Sequence, residues 1–322
     1  MDDRWLLLRL AAGPVSGDEL AREAGVTRAA VWKRIQGLRM QGIRIEGRTG
    51  GGYQLQQSLE LLDADAIRAG LSRAAQAMLA TLNVVWSVDS TNSELLRHSP
   101  PDAGAEVLLA ERQTRGRGRR GREWESPLAA HLYLSVLQHF SGGLARLGGL
   151  SLVAGIAAAE ALRAAGFAGV GLKWPNDLVE TGRKLAGLLV EGAGEYAGAA
   201  HAVIGLGINF RMPPPFADRI QQAWVDLSTL QPGSPLSRNA IAGQVLSHLL
   251  PALELFDREG LRPFLPRYER LDSLSKRQVR VLTGNAEISG IALGIAPDGA
   301  LRLATSKGEQ LFHAGEVSVR TR

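Results

Sequence analysis

Residues 113–124, Gln-Thr-Arg-Gly-Arg-Gly-Arg-Arg-Gly-Arg-Glu-Trp, place five arginines and three glycines within the eight positions 115–122. Guanidinium forks beside bare backbone amides can surround a phosphate or a carboxylate. The same composition describes a plain basic loop or an arginine-glycine segment for single-stranded nucleic acid. Its place between two apolar, strand-like runs favours a cradle or lid over a ligand. Two of the chain's five lysines, Lys173 and Lys184, fall eleven residues apart in Lys173-Trp174-Pro175-Asn176-Asp177 and Arg183-Lys184-Leu185-Ala186-Gly187. Pro-Asn-Asp is also ordinary turn chemistry. Ser90-Thr91-Asn92 follows a strand and reads either as a ligand-holding trio or as a helix start, with Thr91 and Glu94 as a capping box. Gly205-Leu206-Gly207-Ile208-Asn209 marks either a close backbone approach or a glycine-tolerant strand end.

The elements that must position these groups are strands at 84–88, 107–111, 131–137, 185–191 and 202–208, with a buried small-residue helix at 150–165. Strands and helices that do not strictly alternate predict an α+β fold with a mixed sheet. The last fifty residues carry β-rich stretches at 279–282, 286–295, 301–305 and 309–320, separated by turns at Gly284-Asn285, Pro297-Asp298-Gly299 and Lys307-Gly308. This pattern predicts a small antiparallel barrel. Residues 211–270 offer no motif that anchors them.

The first sixty residues read as a winged helix. Ser16-Gly17-Asp18-Glu19 is a capping box whose helix ends at Gly25, and Thr27 caps a second helix, Arg28–Met40, with Val31, Ile35 and Leu38 on its apolar face. Residues 43–55 then form a hairpin with the glycine-rich tip Arg48-Thr49-Gly50-Gly51-Gly52. Between Leu20 and Gly50 stand seven Arg/Lys and two acids, a local +5 in a chain whose total is +5. A solvated basic helix face has the same charge, but the helix-turn-helix spacing with a wing favours DNA, with Arg28, Lys33, Arg34 and Arg48 as the contact residues.

Composition sets bounds on all of this. A chain of 322 residues implies two or more cores. The absence of cysteine excludes disulfides, thiolate metal sites and cysteine nucleophiles, and fits a reducing cytoplasm. The acidic start Met1-Asp2-Asp3 does not suit a signal peptide, and no apolar run of membrane-spanning length is present, so no membrane partner is expected.

Taken in order, Ser90-Thr91-Asn92, Gln113 with Gly116–Gly121, Lys173–Asp177, Arg183–Gly187 and Gly205–Asn209 resemble the landmarks of the biotin protein ligases, specifically the bifunctional bacterial type that is also the biotin operon repressor. The resemblance covers nearly the whole chain. It implies a winged helix-turn-helix at 1–60, a class II synthetase-like mixed-sheet ligase domain at 65–272 and an SH3-like barrel at 273–322. It also implies adenylation of biotin by ATP with Mg²⁺, transfer of biotin to a lysine of a biotin carboxyl carrier protein, and repression at a biotin operator by a homodimer that forms when the adenylate is bound.

Residue by residue, the resemblance assigns Ser90, Thr91, Asn92 and Gln113 to the ureido ring of biotin. It assigns Arg117, Gly118 and Arg119 to the biotin carboxyl and adenylate phosphate, and Lys184 to the space between those two anions. Arg119, Arg120, Trp124, Asn176, Asn209 and Trp224 fall to the nucleotide, with Trp124 as an apolar wall and Trp224 stacking on adenine. Asp177 is the expected base for the acceptor amine. A lipoate-type ligase, or a regulator that binds an effector without turnover, are the alternative readings.

Overall fold

Asp2, Ser16 and Thr27 each accept a hydrogen bond from the amide three residues on, and each starts a helix: α1 (Asp3–Ala11), α2 (Gly17–Ala24) and α3 (Arg28–Met40). Gly25, at φ 65°, ends α2 in the left-handed region. Strands β1 (Ile45–Arg48) and β2 (Gly52–Leu55) pair antiparallel as the expected wing. The computed structural model describes every residue except Thr49, Gly50, Ala197, Ser234, Gly284, Asn285, Glu316 and Arg322, so Thr49 and Gly50 of the wing tip and the Gly284-Asn285 turn lie outside the described residues. Helix α1, which the sequence reading omitted, contributes Leu6, Leu7 and Leu10 to a small core with Leu20, Val31, Ile35 and Leu38.

After α4 (Ala64–Ala69) and α5 (Arg73–Ala77), the central unit runs through β3 (Leu79–Val85), α6 (Thr91–Leu95), β4 (Ala105–Ala110), β5 (Leu132–Phe140), α7 (Leu150–Ala164), β6 (Gly171–Lys173), β7 (Asp177–Glu180), β8 (Arg183–Gly194) and β9 (Ala200–Ile208). These seven strands form one mixed sheet in the order β3-β4-β5-β9-β8-β7-β6, in which β3 and β4 are parallel and all other pairs antiparallel. The strand expected at 84–88 lies earlier, because residues 86–88 leave the sheet to bring Val88 beside Gln113.

The region that offered no motif holds α8 (Pro214–Ala217), α9 (Leu227–Leu230), the 22-residue α10 (Arg238–Glu259) and α11 (Leu265–Leu271). Helix α10 buries Ile241, Val245, Leu249 and Leu253 in the same core as Val153, Ile156 and Ala157 of α7. No helix among the described residues is long and apolar enough to cross a membrane.

A buried polar clamp ties the N-terminal connector to this core. Arg238, 3% exposed, pairs with Glu111 at 2.8 Å and donates to the Glu60 and His131 carbonyls. Glu111 also accepts from the Leu62 amide, while Glu60 accepts from Ser237 and Asn239 at the start of α10. His131 accepts the Phe210 amide on Nδ1, and complete burial pushes its pKa down to about 3.

The C-terminal unit is a five-stranded antiparallel sheet. Strands β10 (Gln278–Thr283), β11 (Ala286–Ile295), β12 (Leu301–Thr305), β13 (Gly308–Phe312) and β14 (Val317–Thr321) run in the order β13-β12-β11-β10-β14. The single stretch expected at 309–320 is two strands, on opposite edges, and among the described residues those edges do not pair to close a barrel.

Candidate functional site

Two cross-strand rows make the floor of a cavity of about 540 Å³. In one, Tyr133, Gly207, Gly187 and Asp177 lie side by side across β5, β9, β8 and β7; in the other, Gly205 lines the cavity and pairs with Ser135, which is fully buried beside it. Alternation along each strand aims these residues at one face. The three glycines leave that face bare. A Cβ at Gly205 would meet Asn92 Oδ1 at 2.2 Å, and one at Gly207 would meet the Trp124 ring at 2.6 Å. Close approach is therefore the reason for the glycines, as one of the two sequence readings held.

The end of the cavity under α6 is neutral, buried and mutually bonded. Gln113 Oε1 accepts from the Thr91 amide (2.8 Å) and hydroxyl (3.2 Å). Ser135 Oγ lies 2.7 Å from Thr91 Oγ1 and 2.6 Å from Asn92 Oδ1. Asn92 Nδ2 donates to the Leu189 carbonyl and to Glu191. Ser90, Thr91 and Asn92 are 3–4% exposed. The capping box expected at Thr91 and Glu94 is absent: Ser90 holds the cap position with no side-chain cap bond, the Thr91 hydroxyl faces Gln113, and Glu94 pairs with Arg97. Ser135 was missed, although a lone serine inside an apolar strand was the signal for it.

The other end is charged. A bulge between β7 and β8 sets Lys184 opposite Val179, so that one extra residue turns the lysine onto the face of Asp177. Its Nζ lies 2.8 Å from Asp177 Oδ1 and 5.4 Å from the centroid of Trp124, which it faces in a cation–π contact. The arginine loop folds back on itself through Gly118 N to the Arg122 carbonyl and Trp124 N to the Gly116 carbonyl. Arg120 sits at φ 60°. Arg117 donates to Ser93 (2.9 Å) and Glu191 (3.1 Å) on the rim.

Arg119 donates to Asn176 Oδ1 at 3.1 Å and to the carbonyls of Ala314 and Gly315, which bring the C-terminal sheet to the cavity. Burial lowers the Arg119 pKa, against the opposing pull of Asp177. Lys173, the other lysine marked in the sequence, lines the same space, and burial lowers its pKa too, against the pull of Asp177 and helped by Arg320 and Lys184.

Gly118, Arg120, Trp124, Asn176, Asn209 and Trp224 also line the cavity. Asn209 and Trp224 do so where the chain leaves the sheet and rejoins it. Asn209 Nδ2 donates to the Val225 and Lys184 carbonyls, and Trp224 bridges alongside Lys184, so the excursion 210–223 is tied at both ends. Met212, Arg219, Ile220, Gln221 and Gln222 of that excursion close over the cavity. The buried Trp124 Nε1 has no hydrogen-bond partner among the described residues.

Sequence comparison decides the family. This chain is 42% identical over 306 residues, 95% of its length and 93% of the relative's, to the bifunctional ligase/repressor BirA of Salmonella typhimurium, and 41% identical over 317 residues to that of Escherichia coli K12, with 98% and 96% covered. It belongs to the bifunctional biotin ligase/repressor family.

Residues 84–209 match the biotin/lipoate A/B protein ligase family, residues 5–54 a helix-turn-helix domain and residues 275–320 the biotin protein ligase C-terminal domain. Among solved structures, the biotin protein ligase of Aquifex aeolicus in complex with biotin and ATP superposes with a TM-score of 0.64 at 27% identity, covering 76% of this chain and 100% of that one. In this ligase/repressor the four expected DNA-facing residues differ in availability. Arg34 is held by Asp3 (3.2 Å) and the Met1 carbonyl (2.8 Å), and Arg48 by Glu46. Arg28 lies 3.7 Å from Asp18 with both side chains about three-quarters exposed, and Lys33 has no ion-pair partner among the described residues.

Proposed function

We propose that this chain activates biotin with ATP, transfers it to a lysine of a biotin carboxyl carrier protein, and represses transcription at a biotin operator when the intermediate accumulates. The observation that carries this reading is the polarity of one cavity. A neutral, hydrogen-bonding end suits the uncharged ureido ring, and a cationic end suits the place where two anions meet.

In the first step a biotin carboxylate oxygen attacks the α-phosphorus, forming the acyl–phosphate bond as the bond to pyrophosphate breaks. The substrate is the nucleophile, so the protein's task is to hold two anions together and to stabilise charge on phosphate oxygens. Ser90, Thr91, Asn92 and Gln113 hold the ring. Arg117, Gly118, Arg119 and Arg120 surround the carboxyl and phosphate. Lys184 moves from Asp177 to the space between the anions, and the carboxylate it leaves is then available to take the proton that the acceptor amine must lose. Attack of that amine on the acyl carbon forms the amide and releases AMP.

Asn176, Asn209, Trp124 and Trp224 frame the nucleotide. Mg²⁺ would enter on the ATP phosphates, and the carboxylates that line the cavity are those of Glu123, Glu125 and Asp177. The C-terminal sheet, read as an SH3-like barrel, supplies the carbonyls that place Arg119. A homodimer formed when the adenylate is bound would set two α3 helices at successive turns of the operator.

The test is a two-stage transfer. Incubation with biotin and α-labelled ATP should yield a protein-bound labelled adenylate, and adding carrier protein should release labelled AMP as biotin appears on one carrier lysine. No labelled adenylate would reduce the chain to an effector-binding regulator, and labelled adenylate that no carrier protein consumes would overturn the transfer step.

A further inference from the structure

Trp32 is an exposed tryptophan in the middle of α3, 56% exposed, in a chain with six tryptophans. A bulky apolar ring standing in water on a helix costs solubility unless it has a use. Its neighbours hold it still. In the orientation that satisfies its surroundings, the Gln36 amide oxygen accepts from Trp32 Nε1 at 3.2 Å and from Arg39 Nη1 at 3.0 Å. Arg39 is in turn fixed by the Ile45 carbonyl, to which its Nε and Nη2 donate at 2.9 and 2.7 Å. The indole is thus the end of a hydrogen-bonded ladder that starts at the first residue of the wing.

With Val31, Ile35 and Leu38 buried, helical geometry turns Ala29, Lys33 and Gln36 to the far side of α3, with Trp32 flanking them. Ala29 is exposed and small, so the backbone can approach a groove floor closely there. Lys33 supplies the positive charge that a phosphate-lined groove requires, and the surrounding stretch Leu20–Gly50 carries +5. With its oxygen taken by two donors, Gln36 has only its NH₂ to offer, which restricts it to base acceptors.

Resting on the DNA-binding reading above, we infer that Trp32 is a sequence-reading residue of this repressor, which recognises the C5-methyl group of a thymine in the major groove while Gln36 donates to an acceptor on an adjacent base. The thymine methyl is the one apolar group that a base pair displays in that groove, and a rigid apolar side chain is the complement to it. The role of the Arg39–Gln36 ladder is to fix the ring before binding, so that no side-chain entropy is lost at that contact.

The experiment begins with the full-length protein, biotin and ATP present, selecting preferred duplexes from a random pool at fixed salt. Each thymine of the selected sequence is then replaced by uracil, which removes only the methyl. Wild type should lose at least about fivefold in affinity at one position or its symmetric equivalent, the low end of the usual effect of one altered base pair. Trp32→Ala should bind the parent duplex about that much more weakly and be indifferent to uracil there, with its dependence on salt unchanged. Trp32→Phe should retain part of the discrimination.

Equal uracil sensitivity in wild type and Trp32→Ala would overturn the assignment while leaving sequence-specific binding, and hence the DNA reading, intact. A wild-type protein that enriches no sequence would overturn both. Because the ring is exposed and outside the core, an unchanged melting temperature for Trp32→Ala is expected, and it separates lost recognition from lost fold.

Discussion

The two ends of the cavity are built in opposite ways. At the neutral end, Thr91, Asn92 and Ser135 are buried, Gln113 is half-buried, and they bond to one another and to neighbouring protein groups, so their geometry is set by folding. At the charged end, Arg117, Arg119 and Lys184 are held by Glu191, by backbone carbonyls and by Asp177, all partners that an arriving anion can replace. On the function proposed above, the difference follows from the chemistry each end would serve. A neutral ring with fixed donors and acceptors is best met by fixed partners, because an unmatched buried group costs about 1–3 kcal/mol. Charge that develops only during reaction is best met by cations kept satisfied until then, and a bare cluster of cations would repel itself.

Substitutions at the two ends should therefore fail differently. The largest effect is expected at Lys184. Lys184→Met leaves two anions without a cation between them, and loss of such a stabilising donor is worth about 3–4 kcal/mol. Biotin-dependent pyrophosphate exchange should fall by roughly 10²–10³-fold, and a drop of only a few-fold would remove Lys184 from the step.

Next comes the rigid end. Gly205→Ala puts a methyl 2.2 Å from Asn92 Oδ1 and must displace that side chain, so KM for biotin should rise by about tenfold or more, as 1–3 kcal/mol implies, with kcat nearly unchanged. A fall in kcat at unchanged KM would show that this end does more than bind.

Arg119→Gly should have a smaller and distinct effect. The loop loses its tie to Asn176 and to the Ala314 and Gly315 carbonyls, so the adenylate should escape about tenfold faster, a change of about 1.4 kcal/mol, and should label unrelated lysines. An unchanged release half-time would assign retention to other residues.

Behind both ends, at His131, the expected effect is on acid stability and leaves activity at neutral pH untouched. Its folded pKa, about 3, lies below the unfolded value near 6.5, so the unfolded state binds more protons between those limits. Stability is complete above pH 6.5 and declines by at most about 1.4 kcal/mol per pH unit below it. Denaturant titrations of wild type and His131→Asn from pH 7 to 4 should differ in slope. Parallel curves would show that His131 does not report on this acid limb.

Much of the neutral and charged ends was legible in the chain because both are local. The arginine-glycine loop, the Lys173–Asp177 turn and the alternating glycines Gly205 and Gly207 each lie in one short segment of unusual composition, and the fold brings all three to one cavity. The contacts that were missed act across the sequence. Arg238 meets Glu111 from 127 positions away, and nothing near either predicts a buried ion pair. Lys184 turns toward Asp177 through a bulge that no residue type announces. Arg34, expected on DNA, is held by Asp3 because α1 packs beside α3, and α1 had not been read as a helix. Thr91 fits a capping box by type, but Gln113, 22 residues on, takes its hydroxyl.

The division of labour within the cavity is tested most directly by ATP–pyrophosphate exchange with biotin and, separately, with lipoate, on wild type and on Lys184→Met and Gly205→Ala. Exchange should require biotin, be absent with lipoate, stay roughly 10²–10³-fold down in Lys184→Met at any biotin concentration, and be restored in Gly205→Ala by raising biotin. Exchange supported equally by lipoate, or a Lys184→Met defect that excess biotin repairs, would contradict a rigid end that selects the ring and a charged end that drives the chemistry.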